Sequence, residues 1–447
     1  MKASLYNHFI EIPGGRTILA YNAYSGAVAE IEKENYSAVK DILAHPEATY
    51  HGPASEFLQC LRGGGFLIGD GIDQTTALKV KARSDRLEGT ILTLTVAPTL
   101  ACNFNCDYCF ESRSGIRMTE ETQDALIAFS DRYLYRANAL RLCWFGGEPT
   151  LCFSMIESLQ NRFNELAVKH RIKQFPATII TNGFLMDGAM AQRLQQLGIT
   201  HAQVTLDGPE VVHDRRRKLR NGRGTFQRII DNLCAAAGVL DLTVRINIDK
   251  DNVDSAAEVV ELLQQRDILD KVRITFAQIT SSGSVCSDII ERCHDSEEFA
   301  GILTRLYSRL LTTGLKQVNF PGPSSGAVCG AIADGYFVVS PTGHLFKCWE
   351  DLSVDAHKSI GSIFTTEQTE LQKQNLERYQ AWQPLAFTEC RDCRILPICM
   401  GGCPARGLEQ TNPTHGSCAS WKYNLREMLE LAYSTTQTDS TGVQDSQ

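Results

Sequence analysis

The chain has 447 residues, which exceeds one ordinary compact domain and suggests two to four domains. Its content of 43% hydrophobic and 21% charged residues excludes a disordered, collagen-like or membrane-embedded protein. The net charge of -8 argues against a protein whose main function is to coat nucleic acid or anionic lipid. We therefore expect a globular protein that binds neither nucleic acid nor membrane.

The N-terminal sequence and the cysteine content suggest a cellular compartment. The segment MKASLYNHFIEIPGGR lacks the continuous apolar stretch of a secretory signal, and no later segment is apolar enough to span a bilayer. We therefore expect a cytoplasmic protein. Because thiols stay reduced in the cytoplasm, metal binding explains the 16 cysteines better than structural disulfides do.

Residues 1–85 are predicted to form a small α+β domain. The predicted elements are strands at 17–21 and 27–31, helices at 34–43 and 58–61, and an extended segment at 66–68. The charged segment 79–88 is predicted to be a linker.

Residues 90–315 are predicted to form an α/β domain, because strands and helices alternate there as in βαβ units. The six predicted strands are 92–96, 140–145, 177–181, 202–206, 242–248 and 272–277. The predicted helices are one capped by Thr119, others at about 154–169, 187–197, 225–237 and 253–264, and one near 296–313. The alternation favours a partial (β/α)6 TIM-like barrel, in which the loops after the strands build the active site.

The alternation stops before the C-terminal part of the chain. Residues 320–433 are rich in cysteine and turn residues, and 423–433 are predicted to be helical. Residues 434–447 form a polar segment with nothing to bury, which predicts a disordered tail.

The most informative motif follows the first predicted strand of the barrel. Cys102, Cys106 and Cys109 form a C-x3-C-x2-C run. Three closely spaced thiolates are able to bind three irons of a cubane cluster and to leave the fourth iron open. A zinc site or a purely structural cluster normally has four protein ligands. A chance group of buried cysteines is the remaining interpretation.

This run, with Tyr108 before its last cysteine, resembles the signature of the radical S-adenosylmethionine (SAM) superfamily. The resemblance implies a 4Fe-4S cluster whose open iron chelates the amino and carboxylate groups of SAM, with Tyr108 beside the cofactor. It also implies that electron transfer into the sulfonium yields a 5′-deoxyadenosyl radical, which abstracts a hydrogen from the substrate.

Unusual sequences also follow the next three predicted strands. A GGEP sequence stands at Gly146, Gly147, Glu148 and Pro149. It is either an ordinary turn or, by resemblance, the GGE motif of the family, which contacts the SAM amino group. Thr181, Asn182 and Asp207 follow the third and fourth strands, and the resemblance assigns such positions to SAM or to the substrate side of the cavity. Asp207 is also a candidate general base, by position only.

Basic residues give two further candidates. On the fifth strand, Arg245 and Asn247 are placed to reach the SAM carboxylate and ribose, although solvated or paired strand residues are an equal alternative. The basic run 213–220 is basic enough to bind phosphate, but a solvated loop is the preferred prediction, because the acidic chain offers no supporting basic patch. Residues 207–217 have the pattern DGPxxxHDxxR, which resembles the peptide-modifying branch of the family. This resemblance implies that Arg217 contacts SAM or substrate.

A second group of cysteines lies near the C-terminus. Its members are Cys329, Cys348, Cys390, Cys393, Cys399, Cys403 and Cys418. A turn-rich segment this short has little apolar core of its own, so seven thiols are not explained as core residues. A zinc ribbon is the competing interpretation, because paired C-x2-C knuckles bind zinc readily.

The spacing of these seven cysteines resembles the SPASM domain of radical SAM enzymes that modify peptides. The resemblance implies an outer auxiliary 4Fe-4S cluster on Cys390, Cys393, Cys399 and Cys418. It implies an inner cluster on Cys329, Cys348 and Cys403, giving three clusters in the chain. The inner cluster either keeps an open iron for a substrate thiolate or borrows an outlying thiol such as Cys293 or Cys286.

The N-terminal domain has two interpretations. It is either a structural cap or a peptide-recognition domain that accepts an extended segment at a sheet edge. The second interpretation rests on a loose resemblance to the winged-helix leader-recognition domains of peptide maturases, and fold analogy alone does not establish a function.

These resemblances imply a radical SAM/SPASM maturase that installs a thioether or carbon–carbon crosslink in a ribosomally made precursor peptide. The implied partners are a precursor peptide with a leader and a flavodoxin- or ferredoxin-type electron donor. A formylglycine-generating sulfatase maturase is the alternative within the superfamily, and that branch usually lacks an extra N-terminal domain. A zinc-binding scaffold without catalysis is the alternative outside it.

Overall fold

A computed structural model describes residues 1–87, 90–111, 114–280, 289–313, 318, 320–322, 329–409 and 417–441. The chain divides into two compact units. The first unit contains Met1–Arg86, Val318–Cys329 and Gln383–Gln447, and the second contains Leu87–Gln317 and Gly330–Trp382. In the part of the chain that is described, no helix is both long enough and apolar enough to cross a membrane.

The second unit is built on one large, mostly parallel β-sheet. Six of its strands are Ile91–Val96, Ala139–Trp144, Ala177–Thr181, Ile199–Thr205, Asp241–Ile248 and Val272–Gln278. Each pairs in parallel with the next along the chain. The prediction of a TIM-like α/β fold is confirmed at this level, and the carboxyl ends of the six strands meet at one edge.

Three further strands extend the sheet beyond Ile91–Val96. The sequence analysis did not predict these three strands. Tyr336–Val339 pairs in parallel with Ile91–Val96. His344–Phe346 and Gly361–Ser362 then add two antiparallel strands. Part of the cysteine-rich segment 320–433 therefore extends the barrel sheet.

Helices connect the parallel strands and cover the sheet. They are Glu120–Leu134, Phe153–Lys169, Gly188–Gln196, Glu210–Arg216, Phe226–Ala236, Ala256–Gln265 and Ser296–Leu311. The predicted cap is confirmed, because the Thr119 side chain accepts a hydrogen bond from the Thr122 backbone N–H at 3.1 Å. Leu92, Leu140 and Ile179 are completely buried in the core between sheet and helices, as expected for a parallel sheet covered on both faces.

In the first unit, the N-terminal residues form two small antiparallel sheets. Asn7–Glu11, Thr17–Asn22 and Val28–Glu32 form a three-stranded sheet in that order. Lys2–Ala3 pairs with Leu67–Ile68. Helices follow at Tyr36–Ala44, Pro53–Gly63 and Gln74–Leu87.

The last of these helices shows that the prediction of a linker at 79–88 is wrong. The helix runs through Leu87, and residues 88 and 89 lie outside the described residues. Leu78 and Ala82 are spaced four residues apart, so they lie on the same helix face and are buried in the core of this unit. The many charged residues of the segment obscured this narrow apolar stripe in the sequence.

The C-terminal part of the first unit consists of helices. They are Thr388–Arg391, Leu396–Cys399, Pro404–Glu409 and Trp421–Thr441. The last helix is interrupted at Asn424, whose backbone is not helical. It continues to Thr441, so the disordered tail predicted from residue 434 is wrong over residues 434–441. Leu425, Leu429 and Ala432 are buried at helical spacing and give this helix a packed face.

Candidate functional site

A cavity of about 230 Å³ lies in the second unit. Its lining comes from the loops after the barrel strands and from the strand ends themselves. The predicted site residues among the lining are Cys102, Cys106, Tyr108, Cys109, Gly146, Gly147, Thr181, Asn182, Arg217, Arg245 and Asn247. The structure therefore brings eleven separately predicted residues to one cavity.

The three cysteines of the first loop are close neighbours. Burial, with smaller contributions from the nearby Glu148, Cys106 and Cys109, raises the pKa of the Cys102 thiol to about 12. The backbone N–H of Phe104 donates to the Cys102 sulfur at 3.4 Å. Among the described residues, no three His, Cys, Asp or Glu side chains converge tightly enough to hold a single metal ion. Clustered thiols with a backbone donor fit the wider ligand spacing of an iron–sulfur cubane.

The cysteine loop is tied to the segment that follows the fourth barrel strand. Phe104 and Leu219 form an antiparallel bridge. The Asn105 N–H donates to the carbonyl of Lys218 at 2.8 Å, and the Arg220 N–H donates to the carbonyl of Asn103 at 3.0 Å. The backbone of the basic run thus fixes the conformation of the cysteine loop.

The prediction of a solvated loop at 213–220 is therefore wrong for its central residues. His213 lies in the middle of the helix Glu210–Arg216 and Arg216 ends it, and both are almost completely buried together with Arg217. Only the flanking Arg215 and Arg220 are exposed. Burial of these arginines depends on acidic partners that are distant in sequence, which the local pattern of charges does not reveal.

The GGEP loop packs directly on the start of the cysteine loop. A Cβ atom on Gly147 would lie 2.4 Å from the carbonyl oxygen of Ala101, and one on Gly146 would lie 2.5 Å from that of Thr99. Gly146 also has a φ of +112°, which disfavours other residues. The two glycines therefore permit close backbone contact, here with the cysteine loop, and Pro149 begins the short helical turn that follows.

The Glu148 carboxylate joins the second and third loops. It accepts hydrogen bonds from the Thr150 N–H at 3.0 Å, the Thr181 hydroxyl at 2.7 Å and the Asn182 N–H at 2.7 Å. Complete burial raises the pKa of Glu148, and these hydrogen bonds oppose that rise. The carboxylate lies beside the cavity lining rather than in it, so its observed contacts are structural.

Tyr108 is the centre of a second polar group at the cavity. Its hydroxyl donates to Asp207 at 2.5 Å and accepts from Arg217 at 2.5 Å and from the Asn247 side chain at 3.1 Å. Asp207 is completely buried and does not line the cavity. It lies behind Tyr108 and also accepts from the Asn247 backbone N–H at 3.2 Å.

Two guanidinium groups face the cavity. One terminal nitrogen of Arg217 donates a hydrogen bond to the Tyr108 hydroxyl. The buried Nε of Arg217 has no hydrogen-bond partner among the described residues. Arg245 donates from its Nε to the Asn247 side chain at 2.8 Å. Burial lowers the pKa of Arg245, although Tyr108 and Asp207 oppose this effect. A buried donor without a partner is costly, so an anionic ligand at this position would satisfy Arg217.

A buried ion-pair network beneath the site was missed by the sequence analysis. The Arg216 guanidinium contacts Asp249 at 2.8 Å and Asp207 at 3.5 Å. Arg292 contacts Asp249 at 2.7 Å and Asp107 at 2.9 Å. Asp249 directly follows the fifth strand. This position at the end of a parallel strand is the sequence feature that would have identified Asp249 as a candidate site residue.

Glu111 is a further cavity residue that the sequence analysis missed. It is 8% exposed, and its Oε2 has no hydrogen-bond partner among the described residues. Burial, together with a smaller contribution from the nearby Glu148, raises its pKa to about 8. Its position two residues after Cys109 is the sequence feature that would have identified Glu111 as a candidate cavity residue.

The four cysteines predicted for the outer cluster lie together in the first unit. Burial, with smaller contributions from the close neighbours Cys399, Cys418 and Cys393, raises the pKa of Cys390 to about 12. Backbone N–H groups of Ala419 and Gly401 donate to the Cys399 sulfur. Four neighbouring thiols with backbone donors fit a 4Fe-4S cluster.

The remaining predicted cysteine ligands are divided between the units. Cys329 and Cys403 belong to the first unit, and Cys348 belongs to the second. Of the outlying thiols, Cys293 lies in the second unit and its thiol donates to the Ile289 carbonyl at 3.3 Å. Cys286 lies outside the described residues.

Comparison with known proteins agrees with the geometry of the cavity. Residues 96–263, which include the cysteine loop, the GGEP loop and Asp207, match the family model of the Radical SAM superfamily. The second unit therefore contains a segment similar to the radical SAM superfamily. Some of the chain's relatives are matched over less than half of their length: the chain spans 43% of the Fe-coproporphyrin III synthase of Methanosarcina barkeri, at 29% identity over 41% of this chain.

Other relatives are matched over most of their length. A serine-type anaerobic sulfatase-maturating enzyme of Klebsiella aerogenes is 23% identical over 68% of this chain and 77% of the relative. The PqqA peptide cyclase of Granulibacter bethesdensis is 24% identical over 72% and 85%. Among solved structures, Streptococcus suis SuiB bound to precursor peptide SuiA superposes with a TM-score of 0.51 at 14% identity, over 94% of this chain and 99% of SuiB.

The contact between the GGEP loop and the cysteine loop generates a prediction. Gly147→Ala is expected to displace the cysteine loop, because the new Cβ would overlap the Ala101 carbonyl, at a cost of about 1–3 kcal/mol. Anaerobically reconstituted protein should then bind less iron at the first loop. Gly115→Ala is the matched control, since a Cβ there meets nothing within 4 Å. Equal iron contents in the two variants would contradict the role given to Gly147.

Proposed function

We propose that this protein is a radical SAM maturase that installs a thioether or carbon–carbon crosslink in a ribosomally made precursor peptide. The observation that carries the proposal is the convergence of the three-cysteine loop, the GGEP loop and the Tyr108–Arg217–Asn247 group on one cavity. The family match supports an enzyme with SAM and a 4Fe-4S cluster. Relatives named as enzymes of peptide or sulfatase maturation support a peptide as substrate.

The residues at the cavity have distinct proposed roles. Cys102, Cys106 and Cys109 would bind three irons of the cluster, which together with SAM supplies a 5′-deoxyadenosyl radical that abstracts hydrogen from the substrate. Gly146 and Gly147 present backbone groups at the cavity wall, where the cationic SAM amino group would bind.

The polar group around Tyr108 would hold the rest of the cofactor. Arg217 has an unsatisfied buried nitrogen at the cavity and is the proposed partner of the SAM carboxylate, with Arg245 beside it. Asn247 would contact the ribose. Thr181 and Asn182 complete the wall on the third loop. As a general base, Asp207 would act through the Tyr108 hydroxyl, which lies between it and the cavity.

Two auxiliary clusters are part of the proposal. Cys390, Cys393, Cys399 and Cys418 would hold the outer cluster, and their proximity supports this assignment. Cys329, Cys348 and Cys403 would hold the inner cluster. With three protein thiolates, the inner cluster would keep one iron open, and a substrate thiolate bound there would suit thioether formation.

The N-terminal residues are the proposed site of peptide recognition. Their three-stranded sheet has two edge strands, Asn7–Glu11 and Val28–Glu32, and Val28–Glu32 is the proposed edge for pairing with an extended peptide, because Asn7–Glu11 faces the segment 393–395. The proposed partners are thus a precursor peptide with a leader and a flavodoxin- or ferredoxin-type electron donor.

A formylglycine-generating sulfatase maturase is the second candidate, since several relatives are named as anaerobic sulfatase-maturating enzymes. The extent of structural similarity favours the peptide maturase. The SuiB fold covers 94% of this chain, whereas the anSMEcpe structure with bound AdoMet covers 79%, at a TM-score of 0.57 and 19% identity.

The proposal is tested by anaerobic co-expression of the protein with each short open reading frame beside its gene, followed by mass spectrometry of the peptide products. We expect a precursor peptide to lose the mass of two hydrogens. Formation of formylglycine in a sulfatase instead would contradict the proposal.

The assignment of the first cluster gives a mutational prediction. Cys106→Ala is expected to abolish SAM cleavage, because two thiolates hold a cubane poorly. The measurement is anaerobic production of 5′-deoxyadenosine. Cys143→Ala serves as the control, since Cys143 is a strand residue outside both cysteine groups. Continued 5′-deoxyadenosine production by Cys106→Ala would refute the cluster assignment.

The outer auxiliary cluster gives a second prediction with a different outcome. Cys399→Ala is expected to retain part of the SAM cleavage activity while losing the peptide product, because the three-cysteine loop is left intact. Both products are quantified in one assay, with the exposed Cys60→Ala as the control in the same unit. Undiminished peptide product in Cys399→Ala would show that the auxiliary cluster is dispensable.

A further inference from the structure

A groove of about 630 Å³ lies in the first unit and shares no lining residue with the cavity described above. One wall is the edge strand of the N-terminal sheet, from Asn7 to Ile10. The opposite walls are the segment 393–395 and the start of the last helix, 421–427. We call it the Cys393 groove. It brings together N-terminal residues and the outer cysteine group, which are almost 400 residues apart in sequence.

The Cys393 groove is positively charged, although the whole chain carries a net charge of -8. Arg394, Lys422 and Arg426 line it and are exposed, and Glu427 is the one acidic residue among its lining residues. Arg426 is partly neutralised by Glu430 at 3.0 Å. Burial lowers the pKa of His8, so that side chain adds no charge near neutral pH. The groove therefore attracts anionic surfaces.

The groove also reaches the proposed outer cluster. Cys393 is one of the lining residues. Lys422 lies on the rim and donates a hydrogen bond to the Cys418 sulfur at 3.5 Å. Two of the four proposed ligands are therefore at the groove or in contact with its rim, which would place cluster and solvent within a short distance. Electron transfer between proteins requires such a short distance.

Aromatic side chains complete the surface. Tyr36, Trp421 and Tyr423 line the groove, and Tyr423 is 37% exposed. Aromatic residues are enriched at protein–protein interfaces, where they give contact area at low entropic cost. A small cationic surface with aromatic contacts suits the brief encounters of electron-transfer proteins, which bury little area.

We propose that the Cys393 groove is the docking surface for an acidic one-electron carrier protein of the flavodoxin or ferredoxin class. This inference rests on the proposed function, because it requires the outer cluster. The carrier is oxidised by one electron and the outer cluster is reduced by one electron, and no bond forms or breaks. The acidic surface of the carrier pairs with Arg394, Lys422 and Arg426.

A peptide is the other occupant to consider, because the groove borders an edge strand. Two observations favour the carrier. His8 projects from that strand and hydrogen-bonds to the Arg394 carbonyl at 3.3 Å, so one residue of the edge is already tied to the opposite wall. Proximity to a cluster ligand is a requirement for an electron carrier and has no function for a bound leader peptide.

The test uses the reconstituted holoenzyme and photoreduced flavodoxin. Arg394→Glu/Arg426→Glu is expected to lower the second-order rate constant for cluster reduction roughly tenfold or more at low ionic strength. The difference from wild type should shrink as salt is added, because salt screens exposed charges. The dissociation constant for oxidised flavodoxin, measured by the change in flavin fluorescence, should rise in parallel.

Matched controls separate docking from damage to the cluster. Arg62→Glu/Arg136→Glu makes the same change in net charge at exposed residues outside the groove, and it should leave the rate constant unchanged. Reduction by a small photoreductant should be equal in all variants. Arg394 is next to the proposed cluster ligand Cys393, so a substitution there is able to disturb the cluster itself. Arg426→Glu alone is therefore the second variant, and it should lower the rate constant for cluster reduction by a smaller factor.

The outcomes distinguish this inference from the proposed function. If the holoenzyme lacks an outer cluster, the cluster assignment itself is wrong. If three clusters are present but the groove variants bind and accept electrons from flavodoxin like wild type, the docking proposal is overturned. It is equally overturned if these variants lose affinity for the precursor peptide while reduction by flavodoxin is unchanged, because the groove would then be a peptide site.

Discussion

The cavity depends on one buried ion-pair network. Arg216, which is 1% exposed, lies between the completely buried Asp207 and Asp249. Removing such charges from water costs several kcal/mol for each ion, and the cost is recovered only in a well-defined geometry. Asp207 follows the fourth barrel strand and Asp249 follows the fifth, so the network fixes these two loops relative to each other. Loss of one partner would leave an uncompensated buried charge, at a cost of about 3–5 kcal/mol.

The same network also restrains the cysteine loop, through contacts of Asp107 and of Tyr108. The Asp107 N–H donates to the carbonyl of Arg216 at 3.3 Å, while the Asp107 side chain pairs with Arg292. Tyr108 is the next residue, and its hydroxyl donates to Asp207. The residues between the second and third cysteines are therefore held from both sides. A site that binds a cluster and a cofactor benefits from such preorganisation, because its ligands need no rearrangement on binding.

The sequence predicted the elements whose signals are local, and it failed where burial depends on distant partners. The six parallel strands and the Thr119 cap were correctly placed, because apolar runs and a capping residue act within a few positions. The buried state of Arg216 was not predictable, since its partners stand nine and 33 residues away. The strand Tyr336–Val339 was missed because its pairing with Ile91–Val96 joins residues more than 200 positions apart. Motifs and polar residues at the ends of strands located eleven cavity residues but not Glu111, which belongs to no motif.

The core of the first unit links the N-terminal sheet to the outer cysteine group. Tyr21, Leu78, Leu396 and Leu429 pack in one buried cluster with Cys399, and the Tyr21 hydroxyl donates to the Pro321 carbonyl at 2.6 Å. An N-terminal domain folded on its own would expose the face that packs on these helices. The outer cysteines would likewise lose the apolar surroundings that raise their thiol pKa values. The segments proposed for peptide recognition and for the outer cluster are therefore one folding unit, so a change at the peptide-binding strands is able to alter the surroundings of the cluster through shared packing.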